Sequence, residues 1–258
     1  MPLDVEILDV RGIPVHYQRT GQGQPLLYLH GSGAALQWDA GLTALADRFD
    51  VIAPAHPGFG PYERPEWMDT IADYAFHYLD FMDALGLDCV HLMGTSMGGW
   101  MAAELAVCSS QRLTSLTLID AAGLQVEGAP APNVFAMTRE EQTRLVFHDQ
   151  TLADQALAVD LDEAALAAYR HNVAIMELLA RDPYLHDPKL PHRLHRVSTP
   201  TLVVWGAQDR LIPPAHGRAY AEAIPRARLT LIPDCGHIPH QERPDEFLAI
   251  VQGFLPWA

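Results

Sequence analysis

The stretch Cys89-Val90-His91-Leu92-Met93-Gly94-Thr95-Ser96-Met97-Gly98-Gly99 changes within a few residues from a strand pattern to a helix pattern. The mostly apolar run 89–93 is typical of a buried strand, and the small residues from Gly98 onward are typical of a helix packed closely on a sheet. Gly94 and Gly98 have no side chain that could collide across the turn. The stretch therefore predicts a strand, a tight turn that carries Ser96, and a helix over residues 96–108.

Strand and helix patterns alternate on both sides of this turn. Such alternation predicts an α/β fold, in which a mostly parallel sheet is covered by helices on both faces. The clearest helix is residues 71–85, where apolar side chains recur at the spacing of one helical face and Gly86 follows as a stop signal. The predicted strands are 5–10, 15–18, 25–29, 51–53, 89–93, 113–119, 201–205 and 229–232, and the other predicted helices are 38–48, 96–108, 164–180, 215–224 and 245–254.

The alternation stops between residues 123 and 187, where helical patterns follow the chain-breaking run Ala129-Pro130-Ala131-Pro132. A helical block inserted between two strands predicts a lid over the sheet. Ligands of open α/β sheets bind at the carboxyl ends of the strands, which is where such a lid would lie. We therefore expect a core made of residues 1–122 and 188–258, with residues 123–187 as a helical lid.

Charge and composition exclude several classes of function. The 258 residues carry a net charge of −15, a field that repels phosphates and anionic lipids, so neither nucleic acid nor membrane is an expected partner. The three cysteines are scattered, which predicts no disulfide framework and no zinc site. The chain begins with an acidic stretch and shows no apolar run long enough to cross a bilayer, so we expect a cytoplasmic protein with a small-molecule substrate. Nothing in the sequence indicates an oligomeric state.

A serine on such a turn becomes a nucleophile when a base lies beside it, and His237 is the best candidate among 13 histidines. It directly follows the last predicted strand, in Asp234-Cys235-Gly236-His237, and so belongs to the same edge of the sheet as Ser96. His240 is the nearest competitor. The alternative for any one of these histidines is a surface position without a catalytic role.

An acid that orients the base is expected after a strand as well. Asp209 lies in the turn after strand 201–205, in Trp205-Gly206-Ala207-Gln208-Asp209. Asp120, at the end of strand 113–119, and Asp234 are rival acids. Each of the three has an alternative role as a cap of a turn or helix.

Two backbone N–H groups are needed to stabilise the oxyanion of an acyl-transfer reaction. We expect one from Met97, directly after Ser96, and the other from Ser32 in the loop His30-Gly31-Ser32-Gly33. Gly31 and Gly33 let this backbone lie close to a substrate, so both are candidate substrate contacts. The alternative is an ordinary glycine-containing loop after a strand.

Together these motifs resemble the α/β-hydrolase family along nearly the whole chain. The resemblance implies an eight-stranded, mostly parallel sheet with a helical cap, a triad in the chain order Ser96, Asp209, His237, and no cofactor or metal. The matching stretches are His30-Gly31-Ser32-Gly33, His56-Pro57-Gly58-Phe59-Gly60, Gly94-Thr95-Ser96-Met97-Gly98-Gly99, Trp205-Gly206-Ala207-Gln208-Asp209 and Gly236-His237.

The resemblance narrows the chemistry only in part. Haloalkane dehalogenases and epoxide hydrolases use aspartate as nucleophile, so Ser96 disfavours both. The carbon–carbon hydrolases of aromatic degradation are similar at the His-Gly-Ser-Gly and Ser-Met-Gly-Gly motifs, but they typically carry Trp after the catalytic histidine, where this chain has Ile238. Esterases, lactonases and cofactor-free perhydrolases are similar at every motif. Ile238 is therefore a further candidate substrate contact, and a receptor of this fold that binds without turnover is the non-enzymatic alternative.

The predicted lid carries four basic and eleven acidic side chains. Such a field disfavours anionic substrates, for example the dienoates of the carbon–carbon hydrolases, unless one arginine such as Arg170 is placed to bind the carboxylate. The alternative is that these charges only solvate the outer face of the lid. We therefore expect a carboxylic-ester hydrolase acting on a neutral ester of short or medium chain.

Overall fold

The computed structural model describes residues 3–33 and 35–255, and within them eight strands form a single sheet. The order across the sheet is β1-β2-β4-β3-β5-β6-β7-β8. β1 and β2 form an antiparallel hairpin, β2 pairs with β4 antiparallel, and all other neighbours are parallel. The prediction of an eight-stranded, mostly parallel sheet flanked by helices is confirmed. The strands are β1 Glu6–Val10, β2 Ile13–Thr20, β3 Gln24–Leu29, β4 Phe49–Pro54, β5 Val90–Thr95, β6 Leu113–Ile119, β7 Thr201–Gly206 and β8 Ala227–Ile232.

Helices cover both faces of the sheet. α2, α3 and α7 pack on one face, and α1 and α9 contact each other on the opposite face. Of the longer helices, α4, α5 and α6 lie between β6 and β7 in the chain, inside the segment predicted as a lid. The α-helices of the described residues are α1 Ala40–Ala46, α2 Ile71–Ala84, α3 Met97–Ser109, α4 Arg139–Val146, α5 Gln150–Ala158, α6 Glu163–Ala180, α7 Ala215–Ala223, α8 Pro239–Glu242 and α9 Pro244–Phe254.

The helix boundaries follow local capping chemistry. α2 begins after Thr70, whose hydroxyl accepts from the Asp73 N–H while the Asp73 carboxylate accepts from the Thr70 N–H. The sequence predicted that the first helix begins near Trp38, but α1 begins at Ala40. The Asp39 carboxylate caps the helix by accepting from Leu42 N–H at 2.8 Å. None of the helices in the described ranges is both long and apolar enough to span a bilayer.

We use the term inserted segment for residues 123–187. It leaves the core at the end of β6 and returns through two short 3₁₀ turns, Leu190–His192 and Leu194–Arg196, before β7. Its division from the core and its action as a lid remain predictions. Its helices nevertheless contribute side chains to a cavity at the carboxyl ends of the strands, as described below.

The turn between β5 and α3 depends on two glycines because main chain passes against main chain there. A Cβ on Gly98 would lie 2.2 Å from the carbonyl oxygen of Leu29 at the end of β3, and a Cβ on Gly94 would lie 2.3 Å from that of Gly98. Backbone atoms cannot move aside as a flexible side chain can. The first turn of α3 is therefore packed directly on β3 and β5.

This packing predicts opposite effects for two glycine-to-alanine substitutions. Gly98→Ala should destabilise the protein by about 2 kcal/mol or more, because the added methyl group overlaps fixed backbone. Gly253→Ala in α9 should raise stability by up to about 1 kcal/mol, since no atom of the described residues lies within 4 Å of a Cβ built there and alanine favours a helix. Denaturant unfolding of both variants measures the difference, and equal stabilities would contradict the main-chain contact at Gly98.

Candidate active site

Ser96 occupies the turn between β5 and α3 in a backbone conformation that side-chain-bearing residues rarely adopt. Its φ and ψ are 55° and −117°. The surrounding main chain fixes this conformation: Ser96 N–H donates to Ile119 O at 2.8 Å, and Ser96 O accepts from Ala122 N–H at 3.0 Å and from Trp100 N–H at 3.1 Å. A strained residue persists only in such a rigid surrounding and is a common feature of functional sites.

His237 follows β8 and is buried, and its ring is hydrogen-bonded to Asp209. The Nδ1 atom of His237 lies 2.8 Å from Oδ2 of Asp209. A carboxylate only accepts, so the proton of the neutral ring resides on Nδ1, and Nε2 keeps its lone pair. His237 and Ser96 line the same cavity, so a histidine nitrogen that can accept a proton belongs to the same site as a serine hydroxyl.

Asp209 is held in place by its own turn. Its Oδ1 accepts from the N–H groups of Leu211 at 2.8 Å and Ile212 at 2.9 Å, which leaves Oδ2 for His237. The carboxylate is completely buried. Charge-assisted hydrogen bonds of this kind compensate for the loss of solvation and fix the carboxylate plane.

The two rival acids occupy other positions. Asp234 is exposed and lies 3.8 Å from Arg243. Asp120 is buried at the end of β6, where its Oδ1 accepts from Gly206 N–H at 2.9 Å. Burial and the neighbouring Asp209 raise the pKa of Asp120 well above its usual value, which favours the neutral, protonated form of this carboxyl group.

Asp120, Asp209 and His237 also form the one group of three potential metal ligands found in the described residues, with ligand atoms within 4.8 Å of one another. Hydrogen bonds already engage much of this group. His237 Nδ1 donates to Asp209, and Asp120 and Asp209 each accept from backbone N–H groups. The chemistry of these contacts is that of a hydrogen-bonded acid–base chain.

A second buried network holds the loop that begins at His30. His30 Nε2 accepts from the N–H of His56 at 3.0 Å, so Nδ1 donates to Gly31 O at 2.6 Å. His56 Nε2 donates to His30 O at 2.7 Å, and its Nδ1 accepts from the hydroxyl of Tyr78. Burial lowers the pKa of His30 to about 4 and that of His56 well below its usual value, so both rings are neutral near pH 7. The sequence marked the His56-Pro57-Gly58 motif without revealing this role, because the contact joins residues 26 positions apart.

This network places the loop against the Ser96 turn. A Cβ built on Gly31 would lie 3.4 Å from Cβ of Ser96. The structure brings all five other predicted contacts to one cavity with Ser96 and His237: Gly31, Ser32, Gly33, Met97 and Ile238.

The cavity has a volume of about 380 Å³ and lies between the strand ends and the inserted segment. Most of its walls are apolar, and the polar residues of the inserted segment that line it are Arg139, Gln142, Thr143, Tyr169 and Asn172. Arg170 is exposed and does not line it, and none of the eleven acidic residues of the inserted segment does either. Besides Met97 and Ile238, the larger apolar side chains of its walls are Val134, Val146, Phe147, Val173, Met176, Leu185, Leu211 and Ile212.

Comparison with known proteins agrees with this architecture. The model of the alpha/beta hydrolase family matches residues 26–250. This chain belongs to the alpha/beta hydrolase family. Membership makes it a hydrolase by family and accounts for the sheet order, but the chemistry of individual members differs.

Three relatives illustrate that range. The 2-hydroxy-6-oxo-6-(2'-aminophenyl)hexa-2,4-dienoic acid hydrolase of Metapseudomonas resinovorans is 30% identical over 95% of this chain and 88% of its own. The dihydrolipoyllysine-residue acetyltransferase component of the acetoin cleaving system of Cupriavidus necator is 32% identical over 97% of this chain and 68% of its own. Among solved structures, a thermophilic esterase from Thermogutta terrifontis has a TM-score of 0.77 at 27% identity, covering 97% of both chains.

The neutral Asp120 gives a pH-dependent prediction for stability. A carboxyl group whose pKa is raised by folding keeps a proton that the unfolded chain has released, so stability decreases as pH rises above the usual value of 3.8. Asparagine at this position stays uncharged and still accepts from Gly206 N–H. The free energy of unfolding of Asp120→Asn relative to wild type should therefore rise from about pH 5 to about pH 7, by at most about 1.4 kcal/mol per pH unit.

Chemical denaturation at a series of pH values measures this difference. Asp234→Asn, at the exposed rival position, is the matched control. Its stability relative to wild type should change much less with pH. A relative stability of Asp120→Asn that falls with rising pH would mean that Asp120 is ionised in the folded protein.

Proposed function

We propose that this chain is a serine hydrolase that cleaves carboxylic esters through an acyl-enzyme intermediate. The observation that carries the proposal is a serine on a strained, fixed turn that shares one cavity with a histidine bound to a buried aspartate. In this proposal Ser96 is the nucleophile, His237 the general base and Asp209 the orienting acid. The same constellation supports catalysis over ligand binding without turnover.

The proposed reaction has two halves. His237 Nε2 takes the proton of Ser96 as Oγ attacks the carbonyl carbon, and the N–H groups of Ser32 and Met97 stabilise the oxyanion. His237 then gives its proton to the leaving alcohol, and the acyl group remains on Ser96. A water molecule, deprotonated by His237, attacks the acyl-enzyme, and the carboxylic acid leaves as Ser96 recovers its proton.

A neutral substrate of short or medium chain fits the cavity. Its walls are mainly apolar, and its volume is at the small end of the usual range for small-molecule sites. Ile238 contributes an aliphatic wall next to the proposed base, and Arg170 lies outside, so it cannot act as the carboxylate clamp that the sequence suggested.

Carbon–carbon bond hydrolysis is the second candidate, and Arg139 is the observation that favours it. Arg139 lines the cavity, donates to the backbone oxygen of Ala156 at 3.0 Å, and forms no ion pair with a carboxylate of the described residues. It could therefore meet a carboxylate on a substrate, as in the dienoic acid that names one relative. Because the acidic residues of the inserted segment do not line the cavity, their net charge is a weaker argument against such substrates than the sequence implied. Lactone hydrolysis and peracid formation would proceed through the same acyl-enzyme intermediate as ester hydrolysis.

Removal of the proposed nucleophile is the most direct test. Ser96→Ala should lower kcat on ester substrates by on the order of 10³-fold or more, because no acyl-enzyme can form. A serine-reactive phosphonate should add its mass at Ser96 in the wild type and not in the variant. Ser198→Ala, at an exposed serine, is the control and should keep full activity; labelling at any other serine would overturn the assignment.

Arg139 allows the two candidate reactions to be separated. For an ester hydrolase, kcat/KM for a neutral p-nitrophenyl ester should exceed that for an anionic dienoate of similar size by about tenfold or more, since the latter must bury its charge in an apolar cavity. Arg139→Gln should then change ester turnover little. A tenfold preference for the dienoate that disappears in Arg139→Gln but survives in Arg170→Gln would instead establish the carbon–carbon hydrolase.

A further inference from the structure

The turn between α4 and α5 is hydrogen-bonded to the loops that carry the proposed base and acid. We call residues 144–149 the α4–α5 corner. His237 donates its backbone N–H to Val146 O at 2.7 Å. The guanidinium group of Arg210, next to Asp209, donates to Arg144 O at 2.5 Å and to Phe147 O at 2.8 Å. The corner is thus fixed to the core at the site itself.

Glu242 joins the corner to the loop of the base through one carboxylate. The residue ends α8 and is buried, with 9% of its surface exposed. Its Oε2 accepts from Gly236 N–H at 2.6 Å, and its Oε1 accepts from Asp149 N–H at 2.5 Å. Gly236 directly precedes His237, and Asp149 caps α5. Both oxygens are therefore committed, one to each side of the contact.

The two segments meet main chain to main chain. A Cβ on Gly236 would lie 2.3 Å from Val146 O and 2.7 Å from His148 N, so no side chain fits between them. On its core side, the loop of His237 is held through Cys235, whose N–H donates to Gln208 Oε1 at 3.1 Å and whose carbonyl oxygen accepts from Gln208 N–H at 2.9 Å. The contacts from the corner are thus a large part of what determines the backbone position of His237.

We infer that Glu242 is a positioning residue for His237, which it holds in register with the α4–α5 corner; this inference rests on the proposed function. Val146 and Phe147 of the corner also line the cavity. The base and one wall of the substrate cavity therefore form a single hydrogen-bonded unit, and the α4–α5 corner does not open independently of His237.

The glutamate carboxylate offers a separate accepting oxygen to each of these two N–H groups. In glutamine, one of the two oxygens is replaced by an NH₂ group, which cannot accept a hydrogen bond from an N–H. Aspartate is one methylene shorter, so its carboxylate does not reach both N–H groups. Glu242→Gln and Glu242→Asp should each lower kcat on a short ester by on the order of tenfold or more, since small misplacement of a catalytic group has effects of this size. KM should change less than kcat, because Glu242 does not itself line the cavity and acts on it only through the wall formed by Val146 and Phe147. Glu246→Gln, at an exposed glutamate of α9, is the matched control and should behave as wild type.

A readout that needs no substrate separates this inference from the proposed function. The low-field proton resonance of the His237 Nδ1–H···Asp209 hydrogen bond should shift or broaden in both Glu242 variants and stay unchanged in Glu246→Gln. If the wild type turns over no ester, the proposed function fails while this resonance still reports on positioning. Unchanged kcat and an unchanged resonance in folded Glu242 variants would overturn the inference.

A second pair of variants tests the same contact from the side of the inserted segment. These variants provide the test of the inference in case the Glu242 variants do not fold. Asp149→Pro removes the N–H that Glu242 accepts, and the φ of −71° at this position fits proline. Asp149→Ala loses the same side-chain cap but keeps the N–H. We expect the proline variant to have the lower kcat and the perturbed resonance; equal behaviour of the two would overturn the inference.

Discussion

The close main-chain contact at the turn between β5 and α3 is the constraint on which the proposed site depends. A φ of 55° at Ser96 is costly for a residue with a Cβ, and the surrounding strands hold it by hydrogen bonds from and to the Ser96 backbone. Gly98 makes this possible because its missing side chain lets α3 begin directly against β3. The parallel pairing of the strands places their carboxyl ends at one edge of the sheet, so side chains that follow different strands line one cavity.

Around this turn, burial controls the charge of the site. His30 and His56 are neutral, each with one ring nitrogen donating and the other accepting, so the loop with Ser32 is held without a buried cation. Burial, followed by the neighbouring Asp209, raises the pKa of Asp120 well above its usual value and favours its protonated form. The acid that contacts the ring of His237 is Asp209, whose other carboxylate oxygen accepts from two backbone N–H groups.

The inserted segment presents different chemistry to solvent and to the cavity. Its acidic side chains lie outside the cavity, whereas apolar side chains and Arg139 face it. A net charge summed over the segment therefore says little about the substrate. The α4–α5 corner of the segment is hydrogen-bonded to the core through Glu242, Arg210 and the backbone of His237. The cavity wall formed by Val146 and Phe147 and the backbone of His237 are consequently linked through the same few hydrogen bonds.

The amino-acid sequence by itself determined the order of strands and helices and the place of the Ser96 turn, because periodicity, glycine and capping residues act over a few neighbours. It also placed Ser96, Asp209 and His237 after strands, and parallel strands end at a common edge. Sequence spacing could not decide between Asp209 and Asp120, since both follow a strand; the fold turns Asp209 to His237 and leaves Asp120 on Gly206. Only the tertiary structure put Arg139 rather than Arg170 in the cavity and brought Glu242 to Gly236 and Asp149. These contacts join residues far apart in the chain, and no local pattern records which of them will meet.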